Sequence, residues 1–271
     1  MEERLLTVKN IMRRDIPVID KDDTLSYAIR LMQRYDIDRV LAVEDGKLVG
    51  IMSKRDIMVR LATLRTKDAS LSRLYVSSLM SENPLTVSPK TLVDKAIRVM
   101  VENNIGSLPV VMREEILGLV TRFEILQLLF NEDINVTDLM RPIPTTLTPT
   151  SSILHARQEL LSTNSSILPV VNSDGKIIGY VMTDNVVDAL VDFYENIPPK
   201  YRGDKIGKLL VRDFMRRTPI LVKREESLGA TVRKILEKKV KGVFMCDEHL
   251  RPVGILTLKE ILKYISISMK S

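Results

Sequence analysis

The chain has no tryptophan, two histidines and one cysteine in 271 residues, and aromatic side chains make up only 4% of it. A single cysteine, Cys246, excludes an internal disulfide. A disulfide scaffold of an oxidising compartment is therefore ruled out, and a reducing cytoplasm is the expected location. The apolar neighbours of this cysteine in "GVFMCD" mark it as a small buried hydrophobe. Two histidines, His155 and His249, and one cysteine cannot build a closed Cys/His zinc site, so no metal is expected. HExxH, CxxC, GxxxxGK[ST] and GxSxG are all missing, which removes the commonest enzyme readings. Paired acids such as Glu225-Glu226 read as first-turn helix charges rather than as a reaction centre. No apolar run approaches the roughly 18–20 residues that span a bilayer, so no membrane is expected. The opening "MEERLLTVKN" has two acids where a secretory signal would carry its apolar segment.

What is present is a hydrophobic content of 45% with 28% charged residues, the profile of a soluble globular protein. The formal charge of +6 is uneven: residues 200–241 hold 14 Lys/Arg against 5 Asp/Glu, a local +9, which leaves the rest at −3. Such an excess suits either an anionic partner, nucleic acid included, or a solvated basic surface. No nucleic-acid recognition motif accompanies it.

One seven-residue phrase recurs along the chain. It reads "GIMSKRD" at 50–56, "GLVTRFE" at 118–124 and "GILTLKE" at 254–260, with an altered copy, "GYVMTDN", at 179–185. Each copy is preceded by a Met- and Pro-marked lead: "NIMRRDIPVI", "SLMSENPLTV", "DLMRPIPTTL" and "DFMRRTPILV". The repeats fall at 8–64, 76–130, 136–193 and 211–266, with 194–210 as a linker, and together cover 226 residues. Within each, an amphipathic helix follows the lead; Leu25, Ala28, Ile29 and Met32 share one face in the first. Two β-rich runs come next, joined by a tight turn such as Glu44-Asp45-Gly46. A second helix begins at the phrase, so the unit reads β-α-β-β-α. A unit this small cannot cover both of its faces, and the short 131–135 joint predicts two pairs, one with two and three with four, docked in one body.

The phrase admits a purely structural explanation. Ser53…Asp56, Thr121…Glu124 and Thr257…Glu260 each match a capping box, which contributes about 1 kcal/mol per helix. Three features point further. A helix N-terminus at a strand end is an anion site, a carboxylate beside it suits a ribose diol, and capping has no use for Arg39, Lys54 or Arg55, cations suited to phosphate oxygens.

The order β-α-β-β-α, the strand text "LPVV" at 108–111 and 168–171, and the phrase G-h-h-[ST]-x-x-[DE], where h is apolar, resemble the cystathionine β-synthase (CBS) domain. Four copies resemble the nucleotide-sensing γ subunit of AMP-activated protein kinase. The resemblance implies an α/β fold in which four CBS repeats pair into two Bateman modules within a compact, disc-like body. It implies a non-catalytic regulatory protein with no cofactor, binding AMP, ADP, ATP or S-adenosylmethionine in clefts between paired repeats. By this resemblance the first cleft would use Ser53, Asp56, Arg39 and Lys54 with Pro84, Leu85 and Thr86. The second would use Thr121, Arg122 and Glu124 with Ile16, Pro17 and Val18. Another would use Thr257 and Glu260 with Pro144, Thr145 and Thr146, and Lys241 would reach its phosphates. The third phrase departs from the pattern: Met182 replaces the hydroxyl, Asn185 replaces the acid, and Thr183 and Asp184 are displaced by one, so this copy is expected to be silent. A homodimer or a regulated protein partner is expected beside the nucleotide. The competing readings are a scaffold without ligand and nucleic-acid binding through 200–241.

Overall fold

The computed structural model describes residues 6–61 and 70–268. The first repeat consists of β1 (Val18–Asp20), α1 (Leu25–Arg34), the hairpin β2 (Arg39–Glu44) and β3 (Lys47–Ser53), and α2 (Lys54–Leu61). Thr24 caps α1 by accepting a hydrogen bond from the Tyr27 N–H, and the face formed by Leu25, Ala28, Ile29 and Met32 is buried. Asp45 and Gly46 both have positive φ (49° and 76°), as a type I′ hairpin turn requires. The second repeat supplies β4 (Ser81–Glu82), α3 (Val93–Glu102), β5 (Ser107–Met112), β6 (Glu115–Thr121) and α4 (Arg122–Leu126). The third supplies β7 (Arg141–Pro142), α5 (Ile153–Ser162), β8 (Ile167–Val171), β9 (Ile177–Met182) and α6 (Thr183–Asn196). The fourth supplies α7 (Leu228–Lys238), β10 (Gly242–Cys246), β11 (Pro252–Thr257) and α8 (Leu258–Ser268). β1 lies parallel to β2; in the other repeats this contact shrinks to single parallel bridges, Val87–Val110, Leu147–Val170 and Leu221–Phe244.

Paired repeats exchange their leads. β4 joins β3 and β7 joins β11, while Arg13 bridges Leu119 and Arg216 bridges Tyr180. The valine that opens each repeat, just ahead of its lead, is accordingly buried in its partner's core: Val8 and Val136 among repeats two and four, Val76 and Val211 among one and three. This exchange explains the glycine that opens the phrase. A Cβ on Gly118 would lie 2.4 Å from the Arg13 carbonyl oxygen, and one on Gly179 would lie 2.5 Å from that of Arg216. Backbone cannot yield as a flexible side chain can, so Gly118→Ala is expected to cost about 2–3 kcal/mol. Gly207→Ala, with nothing within 4 Å of its added Cβ, serves as the control. Equal midpoints for the two variants in urea unfolding would contradict this assignment.

The pairs then dock through their helices, α2 on α6 and α8 on both α3 and α4. One apolar core is therefore drawn mainly from repeats one and three, the other mainly from two and four. The first contact is tied at the end of α2: Arg157 donates to the Met58 and Val59 carbonyls (3.0 and 2.9 Å) and the Tyr194 hydroxyl donates to Leu61 O (2.8 Å). These bonds satisfy carbonyls that a helix end leaves open.

Residues 194–210, expected as a linker, prove largely helical. α6 runs to Asn196 and short helical turns fill Pro199–Tyr201, Arg202–Lys205 and Ile206–Lys208. Pro199 takes the first helical position, where a missing N–H costs nothing. Arg202 folds back to donate to the Ile197 and Tyr194 carbonyls. Cys246 is half-buried at the end of β10, and burial, followed by the nearby Asp247 charge, pushes its thiol up to about 11.

Candidate functional site

All four phrases cap the helix they begin, by one shared device. In the first, the Ser53 N–H and hydroxyl both donate to Asp56 Oδ2 (2.8 and 2.7 Å). Thr121 donates both groups to Glu124 Oε2, and Thr257 donates both to Glu260 Oε2. The altered phrase keeps half of this, since the Met182 N–H donates to Asn185 Oδ1 (2.9 Å). Capping occupies only one carboxylate oxygen, and the fate of the other separates the copies. Asp56 Oδ1 and Glu124 Oε1 have no hydrogen-bond partner among the described residues, whereas Glu260 Oε1 accepts from Arg141 on β7 (3.0 Å).

Two adjoining cavities, of about 470 and 440 Å³, lie where the repeats meet. The first is lined by Ser53, Asp56, Arg39, Pro84, Leu85, Thr121, Arg122, Lys241 and Thr257 of the expected residues. Thr121, Glu124, Ile16, Lys54, Arg39 and Lys241 line the second. Several expectations are corrected. Arg122 lies in the first cavity rather than with Glu124, because the two side chains leave the start of α4 in different directions. Lys54 leaves the first cleft for the second, drawn towards Asp184 (3.8 Å) and Asp188 (3.5 Å). Thr86, Pro17, Val18, Pro144, Thr145, Thr146 and Glu260 line neither cavity. Arg141 occupies the remaining Glu260 oxygen. Asn185 instead faces an outer groove with Asp188 and Asp192.

The wall between the cavities is a chain of charges. Arg39 donates to both Asp38 oxygens (2.9 and 3.1 Å). Lys241 reaches Asp38 (3.5 Å) and Asp184 (3.0 Å) with its side chain only 12% exposed. Burial alone would raise the Asp38 carboxyl, but Arg39 and Lys241 together outweigh it and hold the group well below the usual carboxylate range. For Lys241, burial works against the charge, and Asp184 with Asp38 overcomes it, so its ammonium is raised. Sequence reasoning missed Asp38 and read Asp184 only as the displaced acid of a silent copy. The displaced acid of the altered phrase is thus retained as the counter-charge of Lys241 and Lys54.

Among the described residues Arg122 has no such partner. Burial, then the charge of Arg39, lowers its guanidinium to about 10. A Cβ placed on Gly106 would stand 3.4 Å from both the Arg122 Cζ and the Arg39 Nη1, so Gly106 leaves room for the two side by side. Arg122 donates one bond to the Ile105 carbonyl (3.1 Å), but its buried Nε has no acceptor among the described residues. A buried donor left unsatisfied costs about 1–3 kcal/mol.

A family model for the CBS domain matches residues 8–63, 76–131, 136–192 and 211–267. The chain belongs to the CBS domain family. Its four CBS repeats have the arrangement of protein MJ1225 of Methanocaldococcus jannaschii, an uncharacterized protein 23% identical over 277 residues, covering 96% of this chain and 98% of the relative. The crystal structure of MJ1225, put forward as an archaeal homologue of γ-AMPK, superposes with a TM-score of 0.85 at 22% identity, covering 96% and 99% of the two chains. An uncharacterized conserved protein of Pyrococcus horikoshii shares the fold with a TM-score of 0.64 at 19% identity, covering 96% of this chain and all of that one. A CBS domain-containing protein of Dictyostelium discoideum is 33% identical over 147 residues, covering 51% of this chain and 95% of its own. Among the described residues no helix is long and apolar enough to cross a membrane.

Proposed function

We propose that this CBS protein is a non-catalytic regulatory sensor that binds an adenine nucleotide in the first cavity. The observation that carries the reading is the pair Arg39 and Arg122 at Gly106, with the Arg122 Nε lacking an acceptor. A phosphate would supply that acceptor through charge-assisted bonds. Asp56 Oδ1 is then the ribose acceptor, while Oδ2 continues to cap α2. Pro84, Leu85 and Ile51 offer the aliphatic surface for the base. Cations lining the chamber favour a phosphate over the sulfonium of S-adenosylmethionine. The second cavity, with Thr121, Glu124 and Ile16, is a further nucleotide cleft in this reading.

Calorimetry with adenosine and AMP tests it. Removing one hydrogen bond to a charged group costs about 1.5–3 kcal/mol, so Asp56→Ala should weaken both ligands by about tenfold or more. Arg39→Ala should weaken AMP more than adenosine, because only AMP carries the phosphate. Absence of binding of either ligand to the wild-type protein would reduce the phrases to helix caps.

A further inference from the structure

We propose that the basic segment 199–208 is a docking surface for single-stranded nucleic acid, with a base stacked on Tyr201 and phosphates held by Lys200, Lys205 and Lys208. The excess of positive charge over residues 200–241 divides in the fold. Residues 233–241 are engaged within the protein: Lys234 pairs with Glu226, Lys239 with Asp36, and Lys241 with Asp38 and Asp184, while Arg233 donates to the Phe130 carbonyl. Lys200, Lys205 and Lys208 are exposed instead, and they make no ion pair among the described residues. Asp204 is the only acid in the segment. None of these side chains lines either cavity, so nucleotide binding there gives them no role.

Tyr201 stands 50% exposed, with the Lys200 ammonium 4.6 Å and the Lys205 ammonium 5.4 Å from its ring centre. Lys208 lies one tight helical turn beyond Lys205. A Cβ added to Gly203 or Gly207 would meet nothing within 4 Å, so the surface at both is open. The backbone behind the ring is fixed. Pro198 and Pro199 restrict the chain leading into it. Arg202 points inward, its guanidinium 4.9 Å from the Tyr194 ring centre and donating to the Tyr194 and Ile197 carbonyls (2.6 and 2.7 Å). A ring on a fixed backbone loses little freedom on binding. A base laid on it gains stacking, and the flanking phosphates exchange two cation–π contacts, weak at an exposed site, for charge-assisted bonds. The same chemistry disfavours other anions. An acidic peptide would engage the lysines and leave the ring idle. A lipid surface calls for exposed aliphatic side chains, and Ile206 and Leu209 are partly buried. A duplex keeps its bases stacked on one another and offers Tyr201 no face.

Fluorescence anisotropy of the full chain with a labelled oligothymidylate of about 20 nucleotides tests the proposal. Losing one stacked base should make Tyr201→Ala about tenfold weaker, while Tyr201→Phe, which keeps the ring, should lose less than about threefold. With about three phosphates neutralised, log K should fall against log salt with a slope near −2, and the double variant Lys205→Met, Lys208→Met should bring it to roughly −0.7. The matching duplex should bind at least about tenfold more weakly than the single strand. Melting curves establish that the variants are folded. Undiminished binding by Tyr201→Ala, or equal affinity for the duplex, would overturn the proposal, since charge alone would then account for the association. Equal affinity for phosphatidylserine vesicles would overturn it in favour of a lipid surface. No binding of the oligonucleotide by the wild-type protein at about 0.1 mM and physiological salt would overturn it outright.

Discussion

Arg122→Gln should raise the melting temperature of the ligand-free protein and abolish its stabilisation by AMP. In the folded protein burial, then the charge of Arg39, lowers the guanidinium to about 10, well below its ordinary value in the unfolded chain. The sign follows from that order. A base whose folded value is depressed weakens the fold at every pH below it, and the penalty fades only as pH rises through the gap. At neutral pH the full cost is present, on the order of 3 kcal/mol before allowing for the lost bond to Ile105. Glutamine removes the charge and keeps a donor. A net gain of about 1–2 kcal/mol, or several degrees in melting temperature, is expected. Wild-type protein with saturating AMP should recover that stability and more, because the ligand binds only the folded state. A lower melting temperature for the variant without ligand would show that Arg122 is structural and that its Nε is not held ready for an anion.

Lys241→Met should produce the largest loss of stability. The ammonium touches carboxylates of repeats one and three from repeat four. Removing one partner of a buried ion network leaves the others uncompensated, at a cost of about 3 kcal/mol or more. The double variant Lys241→Met, Asp184→Asn should recover part of that loss, since it removes one stranded charge together with its partner. Wild type and the single variant also differ in acid. The Asp38 carboxyl titrates lower in the folded protein than in the unfolded one. The stability it contributes is therefore complete above about pH 4 and lost as pH falls below that. Without Lys241 the folded value rises towards the unfolded one, so the stability gap between wild type and variant is full at pH 7 and narrows as pH falls below about 4. Unfolding by urea at pH 7 and below pH 4 reads both effects. A single-variant loss below ~0.5 kcal/mol would place the network among weak surface pairs.

The amino-acid sequence by itself determined the repeat. Apolar spacing placed α1, the Asp45–Gly46 turn placed the first hairpin, and the phrase placed the starts of α2, α4 and α8, because each depends on neighbours within a few residues. It also determined that the phrases cap their helices. The hydroxyl and the acid stand three residues apart, so their meeting needs no tertiary contact.

Tertiary structure alone decided which carboxylates remained available. Asp56 and Glu260 look equivalent along the chain, yet Arg141 crosses from a partner lead to occupy the second oxygen of only one. It decided that Arg122 faces away from Glu124, and that Asp184, displaced by one residue in the altered phrase, meets a lysine 57 positions further on. It also decided that α2 docks on α6 while α8 docks on α3 and α4. The repeats present similar apolar faces, and hydrophobic burial has no direction. Shape and the few charges at the centre choose among the possible pairings, and those charges become neighbours only once four repeats have closed around them.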